Sequence, residues 1–348
     1  ANGTVAVGAS ALQSLTSGVG NVAVGYQSLD AEDDGDFNTA VGYQALTAQT
    51  GTSGNVSNTA VGYQAAKAIT KGRYTTAIGK SALNTETVGD RTVAIGYNSL
   101  GLQIIGGGDN QVSGNTAVGF ETGYYNVTGT NNTYLGYNAG VGASGQSNSN
   151  NVGVGSNALL AVTTGTENVA VGKDSMLDAQ DGAGNTAIGT ESLANVTSGS
   201  ENVGVGKQAL YTATTVGGNT AVGYQALKVS TVAGSTAVGH SALIANTTGT
   251  GNTAVGYQAA DAITTGANNI AVGYSALGAA ADDESGNVAI ARGALEVAKQ
   301  NGTVSATNRE VKNNVAIGLN ALYGGTLTGT NHLEGCVAIG KDAMDATG

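Results

Sequence analysis

The sequence predicts an all-β protein, a parallel β-solenoid or β-roll of about 19 coils with a basic repeat of 17 residues, forming a trimeric fibre. Three observations lead to this fold class. A motif of the type Asn-Thr-Ala-Val-Gly recurs along the whole 348-residue chain. Within the motif, β-branched residues alternate with small ones, which is the period of a strand. Gly accounts for 57 residues while Pro and Trp are absent, so a core of large aromatic side chains is not expected.

The motif glycine marks each coil, and most successive copies are 17 residues apart. The nineteen positions, one of them an alanine, are Gly8, Gly25, Gly42, Gly62, Gly79, Gly96, Gly119, Gly136, Gly155, Gly172, Gly189, Gly206, Gly223, Gly239, Gly256, Gly273, Ala291, Gly318 and Gly340. We therefore predict one repetitive solenoid shaft over residues 1–348. Because the chain starts at Ala1 without Met, we expect it to be a fragment or a processed form of a longer product.

Each coil is predicted to begin with a short strand such as residues 39–41. A second short extended or turn segment follows at Gln44, Ala45 and Leu46. A stretch rich in Gly and Thr, as at 247–251, then turns the chain back to the start of the next coil. The density of Gly and β-branched residues disfavours helix throughout the chain, so none is expected.

Both faces of the predicted strand are uncharged, which indicates burial on both faces. Thr39 and Val41 are predicted to point into the coil and to stack with Leu46, while Ala40 and Gly42 form the opposite, small-residue face. A second copy of the chain would cover that small-residue face, and cyclic symmetry then gives a homotrimer. The alternative is a flattened single-chain solenoid whose own second sheet covers it.

Two residue types are expected to form axial ladders that fix the register of the coils. The first ladder consists of the asparagines that precede the strands, Asn21, Asn38, Asn58, Asn115, Asn168, Asn219 and Asn252. The second consists of the tyrosines that follow the motif glycine, Tyr26, Tyr43, Tyr63, Tyr224, Tyr257 and Tyr274. The tyrosines are interpreted as a structural stack, with a binding surface as the alternative.

The repeat unit resembles two families of fibrous proteins. Its form Asn-Thr-Ala-Val-Gly-Tyr-Gln-Ala-Leu, at 38–46 and 219–227, resembles the repeats of phage and prophage tail-fibre proteins. Its core, Ala-(Val/Ile)-Gly-x-x-(Ala/Ser), is similar to the head repeats of trimeric autotransporter adhesins. The resemblance implies a trimeric parallel β-roll or β-solenoid that projects from a surface and contacts a cell. It also implies an extracellular location, on a virion tail or fibre or on a cell surface.

The leading functional hypothesis is a structural fibre or adhesin shaft that mediates or supports attachment to a host cell. The alternatives are a self-assembling extracellular filament of a bacterium or archaeon, or an ice-binding or polysaccharide-binding solenoid. Thr interchanges with Val at the first strand position, which favours a buried site over a regular ice-matching lattice. A solenoid enzyme ranks last, because the sparse carboxylates form no cluster along one face and no residue is predicted to be catalytic.

Composition argues against two classes of partner. The net charge of −11 leaves no basic surface for a phosphate backbone, so nucleic acid is not an expected partner. No apolar run approaches the roughly 20 residues of a membrane helix, so membrane insertion is not expected.

No cofactor is expected, and the candidate metal ligands are few. His240 and His332 are predicted to lie on the surface, and Cys336 is predicted to be a small buried residue in the last asparagine position. Acidic residues at 30–36 supply oxygen ligands of the kind that calcium prefers. A weak Ca²⁺ site is therefore considered at Asp33, Asp34 and Asp36, although a solvated turn is the favoured interpretation.

Receptor contact is predicted in the insertions, because a solenoid can carry extra residues there without breaking its stack. The insertions are 100–114, with an aromatic group shortly after it, and 296–313, which is rich in charge. The candidate contacts with a host surface glycan or protein are Phe120, Tyr124, Tyr125, Tyr134, Tyr137, Lys299, Arg309 and Lys312. The alternative is that these loops are ornamental and a separate tip domain binds the receptor.

Overall fold

The computed structural model describes residues 3–50, 54–106, 111–278, 284–296, 311–324 and 333–345. They belong to two compact units, Ala1–Asp181 and Gly182–Gly348. Every regular element in these described ranges is a strand, and the paired strands are parallel. The prediction of an all-β parallel solenoid with repeats about 17 residues apart is confirmed. Coils of the same kind occupy both units, while a single domain over 1–348 stays a prediction.

In the first unit, ten three-residue strands form one sheet, and short strands pair beside it. The strands are β1 (Val5–Val7), β2 (Val22–Val24), β3 (Gly35–Asp36), β4 (Thr39–Val41), β5 (Gly54–Asn55), β6 (Thr59–Val61), β7 (Thr76–Ile78), β8 (Gly89–Asp90), β9 (Val93–Ile95), β10 (Gln111–Val112), β11 (Thr116–Val118), β12 (Thr133–Leu135), β13 (Val152–Val154) and β14 (Val169–Val171). The short pairs are β3 with β5 and β8 with β10.

The second unit repeats the arrangement with nine three-residue strands among its described residues. Its strands are β15 (Thr186–Ile188), β16 (Val203–Val205), β17 (Thr220–Val222), β18 (Thr236–Val238), β19 (Thr253–Val255), β20 (Ile270–Val272), β21 (Val288–Ile290), β22 (Val311–Lys312), β23 (Val315–Ile317), β24 (Leu333–Glu334) and β25 (Val337–Ile339). The short pair is β22 with β24.

The inside and outside of the coil are the reverse of the prediction. Ala40 and Leu46 are fully buried inside the coil, whereas Thr39 and Val41 point outward and are half-buried. Neighbouring coils hold this arrangement in register, with alanine above alanine and valine above valine. The small-residue face is therefore covered by the coil itself, and the predicted contact of a second chain with that face is wrong.

The reason is the narrow interior of the coil. At Gly204, which replaces the strand alanine in its coil, an added Cβ would lie 2.7 Å from Oγ of Ser192, 3.2 Å from Cγ of Leu193 and 3.3 Å from the carbonyl oxygen of Ala209. The buried turn residues, leucine among them, thus reach the inward strand position and leave room for little more than a methyl group. Valine does not fit there, so the β-branched residues occupy the outward positions.

The segment after the motif glycine is a turn with left-handed backbone. Gln44 has φ 53° and Leu46 has φ 50°, values that side-chain-bearing residues seldom adopt. Their N–H groups donate in opposite directions along the stack, Gln44 to the carbonyl oxygen of Tyr26 at 2.9 Å and Leu46 to that of Ala65 at 3.1 Å. Pairing to the coils on both sides and burial of the leucine offset the cost of this conformation.

The motif glycine is required by the close approach of successive coils. Gly42 has φ 140°, and an added Cβ would lie only 2.3 Å from the carbonyl oxygen of Gly62. Ala291 occupies the same position with φ 111°, a region that alanine rarely adopts. The one alanine of the column is therefore a strained residue.

We expect Ala291→Gly to stabilise the protein by about 1 kcal/mol, because relief of the strained φ outweighs the extra backbone entropy of glycine in the unfolded chain. Gly273→Ala is the matched control, since its Cβ would lie 2.5 Å from the carbonyl carbon of Ala291 and should destabilise. Chemical denaturation measures both changes. A loss of stability in Ala291→Gly would contradict the assignment of strain.

A column of buried asparagines, replaced by Thr75, Thr92 and Ser235 in three coils, joins successive coils, as predicted. Asn38 N donates to Oδ1 of Asn21 at 2.8 Å, and Asn58 N donates to Oδ1 of Asn38 at 3.0 Å. Within its own coil, Nδ2 of Asn21 donates to the carbonyl oxygen of Gly35 at 2.7 Å. The pattern recurs in the second unit, where Asn219 N donates to Oδ1 of Asn202 at 3.1 Å. Each amide therefore fixes both the shape of its coil and the register to the next.

Candidate functional site

The tyrosines after the motif glycine form an exposed ladder. In the first unit, the ring centroids of Tyr26 and Tyr43 are 5.2 Å apart, and those of Tyr43 and Tyr63 are 5.3 Å apart. The rings lie within 19° and 7° of parallel. This spacing follows from the roughly 4.8 Å separation of paired strands. The predicted tyrosine stack is confirmed.

The ladder of the first unit continues through a cation and a second aromatic run. Nζ of Lys80 lies 6.0 Å from the ring centroid of Tyr63 and 5.6 Å from that of Tyr97. Phe120 then stacks between Tyr97 and Tyr137 at centroid distances of 5.1 Å and 5.3 Å. The lysine bridges the two aromatic runs.

In the second unit, a histidine takes one place in the ladder. His240 stacks between Tyr224 and Tyr257 at centroid distances of 4.9 Å and 5.0 Å, and Tyr274 follows at 5.2 Å. The guanidinium carbon of Arg292 lies 5.7 Å from the centroid of Tyr274. His240 is exposed, as predicted for a surface residue, whereas His332 lies outside the described residues.

Stacking limits what the ladder can bind. Tyr97 and Tyr137 lie over the two faces of Phe120, so this ring presents its edge to solvent. A sugar that stacks on an aromatic ring needs a free face, and Phe120 offers one only if the ladder opens. Phe120 and Tyr137 thus remain accessible, 40% and 55% exposed, for contacts through ring edges and the tyrosine hydroxyl.

Beside the ladder, the outward face of the strands forms an uncharged surface in each unit. Every outward position of the nineteen described three-residue strands is Val, Ile, Leu or Thr. Ile78 is 37% exposed, and Leu135 is 48% exposed. Monomeric soluble proteins rarely leave a continuous apolar surface of this kind uncovered. Sequence reasoning missed this face because it placed the same residues inside the coil.

Tyr134 is buried completely, so its predicted contact with a receptor is wrong. Its ring replaces the strand alanine, and its hydroxyl donates to Oδ1 of Asn148. An added Cβ at Gly140 would lie 2.4 Å from the ring, and one at Gly123 would lie 3.2 Å from it. These two glycines replace the buried leucine of their coils, and Tyr134 fills the space. Burial raises the pKa of the Tyr134 hydroxyl.

The remaining aromatic candidates form a separate pair. Tyr124 and Tyr125 contact each other edge to face with centroids 4.7 Å apart, and both are half-buried. Burial is the main reason that the pKa of Tyr124 is raised. Gly101 lies directly beneath the ring of Tyr124, where an added Cβ would be 2.7 Å away. Their part in receptor binding stays a prediction.

The charged candidates are only partly placed. Lys299 and Arg309 lie outside the described residues. Lys312 is half-buried in the short strand β22, which pairs with β24. Cys336 is half-exposed rather than buried, and its N–H donates to Oδ1 of Asn314 at 2.9 Å.

The three aspartates proposed as calcium ligands do not all have their carboxylates in one cluster. Carboxylate oxygens of Glu32, Asp33 and Asp34 lie within 4.8 Å of one another. Oδ1 of Asp36 instead accepts a hydrogen bond from the N–H of Val19 at 2.8 Å. Partial burial and then the charge of Asp33 raise the pKa of Asp34. Calcium binding at Asp33, Asp34 and Asp36 stays a prediction, with Glu32 as an additional neighbour.

Two buried glutamates occupy the same place in their coils with different partners. Oε1 of Glu86 accepts from the N–H groups of Thr87, Val88 and Gly89, and its Oε2 accepts from Nε2 of Gln103 at 3.0 Å. Those donors satisfy a buried carboxylate.

Glu32 has fewer donors than Glu86. Its Oε1 accepts from the N–H of Gly35 at 2.7 Å, and its Oε2 accepts from Nδ2 of Asn38 at 3.3 Å. Burial raises the pKa of the Glu32 carboxyl. The ionised form is therefore disfavoured in the folded state.

We expect Glu32→Gln to be more stable than the unaltered protein at neutral pH. Because the pKa of Glu32 is higher in the folded state, its favourable contribution is present below the unfolded value of about 4.3 and is lost as the pH rises through the folded value. Glu86→Gln is the control. We expect it to lower the free energy of unfolding by about 1–3 kcal/mol, because the new amide N–H group would face N–H donors that now bind the carboxylate. Denaturation at several pH values measures both; equal losses from the two variants would contradict this interpretation.

No family model matches the chain, and no curated protein sequence matches it. Among the described residues, no helix is long and apolar enough to cross a membrane. The resemblance of the repeats to tail fibres and trimeric adhesins therefore stays a prediction.

Proposed function

We propose that this chain is the shaft of an extracellular structural fibre or adhesin, on a virion tail or fibre or on a cell surface. Its role is to carry or support attachment to a host cell, and it is structural rather than catalytic. The observation that supports the proposal best is the uniform outward face of Val, Ile, Leu and Thr, maintained coil after coil in both units. A repeated surface of this kind suits continuous association along a shaft more than recognition at one site.

We propose further that three copies associate through this outward face. The face is uncharged in each unit and apolar apart from its threonines. The strands that form it are in register, so a second copy would present strands with the same spacing along the axis. The choice of three copies rests on the resemblance to trimeric fibres. This interface replaces the predicted one, because Ala40 and its equivalents face the interior.

A host surface glycan or protein is the proposed partner of the shaft or of a tip attached to it. The exposed edges of Phe120 and Tyr137, together with Tyr124, Tyr125 and Lys312, are the described residues that could take part. Both faces of the Phe120 ring are covered by its neighbours, so contact at that residue would use the ring edge.

Immunogold electron microscopy of the source material with an antibody against this chain tests the proposed function. We expect gold particles along fibres that project from virions or from a cell surface. Labelling confined to the cell interior would contradict the proposal. Free extracellular filaments without an attached virion or cell would favour the self-assembling filament instead.

One observation favours an ice-binding solenoid as a second candidate. Thr39, Thr59 and Thr76 lie on the outward face and not inside the coil. The interchange of Thr with Val at this position is therefore not a sign of a site inside the coil. The same face would be covered in a trimer, which makes the two functions mutually exclusive. Thermal hysteresis in solutions of the purified chain, together with a molar mass of one chain, would favour the ice-binding candidate.

A further inference from the structure

We propose that the stacked tyrosine pairs Tyr26–Tyr43, Tyr43–Tyr63 and Tyr257–Tyr274 are sites of oxidative coupling, at which a peroxide-driven one-electron oxidant forms dityrosine links between successive coils. The links would be covalent cross-links within one chain. This proposal is independent of the proposed function, because it depends only on contacts inside each unit.

The geometry places the reacting rings side by side. The centroids in the three pairs are 5.2 Å, 5.3 Å and 5.2 Å apart, with interplanar angles of 19°, 7° and 7°. All of these tyrosines are between 43% and 51% exposed, so an oxidant can reach their phenols. The rings stand at the edge of the coil, where they can tilt toward each other while the backbone hydrogen bonds hold the coils in place.

The coupling reaction is balanced by one peroxide molecule per link. Each phenol loses one electron and one proton, which gives two tyrosyl radicals. A carbon–carbon bond forms between the ring carbons ortho to the two oxygens, and the hydrogens on those carbons move to the oxygens as both rings become aromatic again. The pair loses two hydrogen atoms in total, and hydrogen peroxide is reduced to two molecules of water.

The ladder also contains positions at which this coupling cannot occur. Phe120 separates Tyr97 from Tyr137, and His240 separates Tyr224 from Tyr257. A phenylalanine or an imidazole has no phenol to form the required radical. Links are therefore confined to the three direct tyrosine contacts of the ladder.

Such links would join coils that hydrogen bonds and packing otherwise hold together. The sequence contains one cysteine, so an intrachain disulfide is impossible. Each link would close a loop of 17 or 20 residues, because the partners are that far apart in the chain. A closed loop restricts the unfolded chain, so we expect the oxidised protein to unfold at a higher temperature.

The test treats dilute full-length chain with hydrogen peroxide and a peroxidase, then maps cross-linked peptides by mass spectrometry after denaturation and digestion. Rings held in contact have a far higher effective concentration than tyrosines on separate molecules. Tyr124 and Tyr125 are also in ring contact, edge to face, so their link is scored separately. Although the chain has 14 tyrosines, we expect the three ladder pairs to exceed all pairings between rings that are not in contact by at least about tenfold. The denatured product should keep the mass of a single chain.

Two conservative variants test the pairing. We expect Tyr43→Phe to abolish both links of the first ladder run while leaving Tyr257–Tyr274 unchanged. Phe120→Tyr should add links from position 120 to Tyr97 and Tyr137, since the neighbouring rings are already in place. Both substitutions keep an aromatic ring in the stack, so the fold should be retained.

Three results would overturn the proposal. The first is the absence of ladder links under conditions that couple free tyrosine in the same reaction. The second is an equal yield of links between tyrosines whose rings are not in contact with each other. The third is a product made mainly of chains joined to one another.

Discussion

We expect Tyr134→Ala to destabilise the first unit by about 3–5 kcal/mol, the usual cost of removing a large buried ring. The ring fills the interior at a point where Gly123 and Gly140 stand in place of the buried leucines. Its removal leaves a cavity that these glycines cannot fill. Chemical denaturation followed by circular dichroism measures the loss.

A second substitution should restore the stability. In Tyr134→Ala, Gly140→Leu reintroduces the usual leucine, and φ of 61° at this position resembles the 50° of Leu46. In the unaltered protein, the same Gly140→Leu change should destabilise, because its Cβ would lie 2.4 Å from the Tyr134 ring. The two changes should thus show strong favourable coupling in a double-mutant cycle. Additive losses would contradict the proposed exchange of tyrosine for leucine.

The second large effect is expected for Ala40→Asp. Ala40 is completely buried inside the coil, so an aspartate there would be an unpaired charge in an apolar interior as well as too large. We expect the free energy of unfolding to fall by several kcal/mol, or the interior to hold the new aspartate in its neutral form. Ala40→Gly is the control, because Gly153 and Gly204 already occupy this position in other coils, and it should lose only about 1 kcal/mol.

Val41→Asp should disturb the fold much less than Ala40→Asp does. Val41 lies on the outward face, where a charge stays hydrated in an isolated chain. We expect the variant to keep its β-rich circular dichroism spectrum while losing association with other copies. If Val41→Asp unfolds the isolated chain as severely as Ala40→Asp does, the assignment of inward and outward faces is wrong.

The repeat itself made the fold predictable from the sequence. A recurring strand motif with a fixed asparagine and a fixed glycine specifies parallel stacking in register, and both the Asn21 and Tyr26 ladders follow from the same regular spacing. The orientation of the strand was not predictable in this way, because Ala40 and Val41 are both apolar. The close approach of the buried turn residues to the inward strand position decides which of them lies inside.

The left-handed turn was also beyond sequence reasoning. Gln44 and Leu46 carry no conformational signal of the kind that Gly or Asn would give, and their positive φ follows from pairing with adjacent coils. At the candidate site, the burial of Tyr134 did leave a signal that was missed. Glycine stands at two leucine positions, Gly140 in the coil whose strand alanine is replaced by Tyr134 and Gly123 in the coil before it.

We propose that other copies of this chain cover the outward face of Val, Ile, Leu and Thr. Size-exclusion chromatography with light scattering on the purified full chain, of 33.9 kDa, tests it most directly. We expect a particle of three chains that becomes a folded single chain when Val41 and the equivalent outward residues of neighbouring coils are changed to aspartate. A folded single chain for the unaltered protein at micromolar concentration would contradict it.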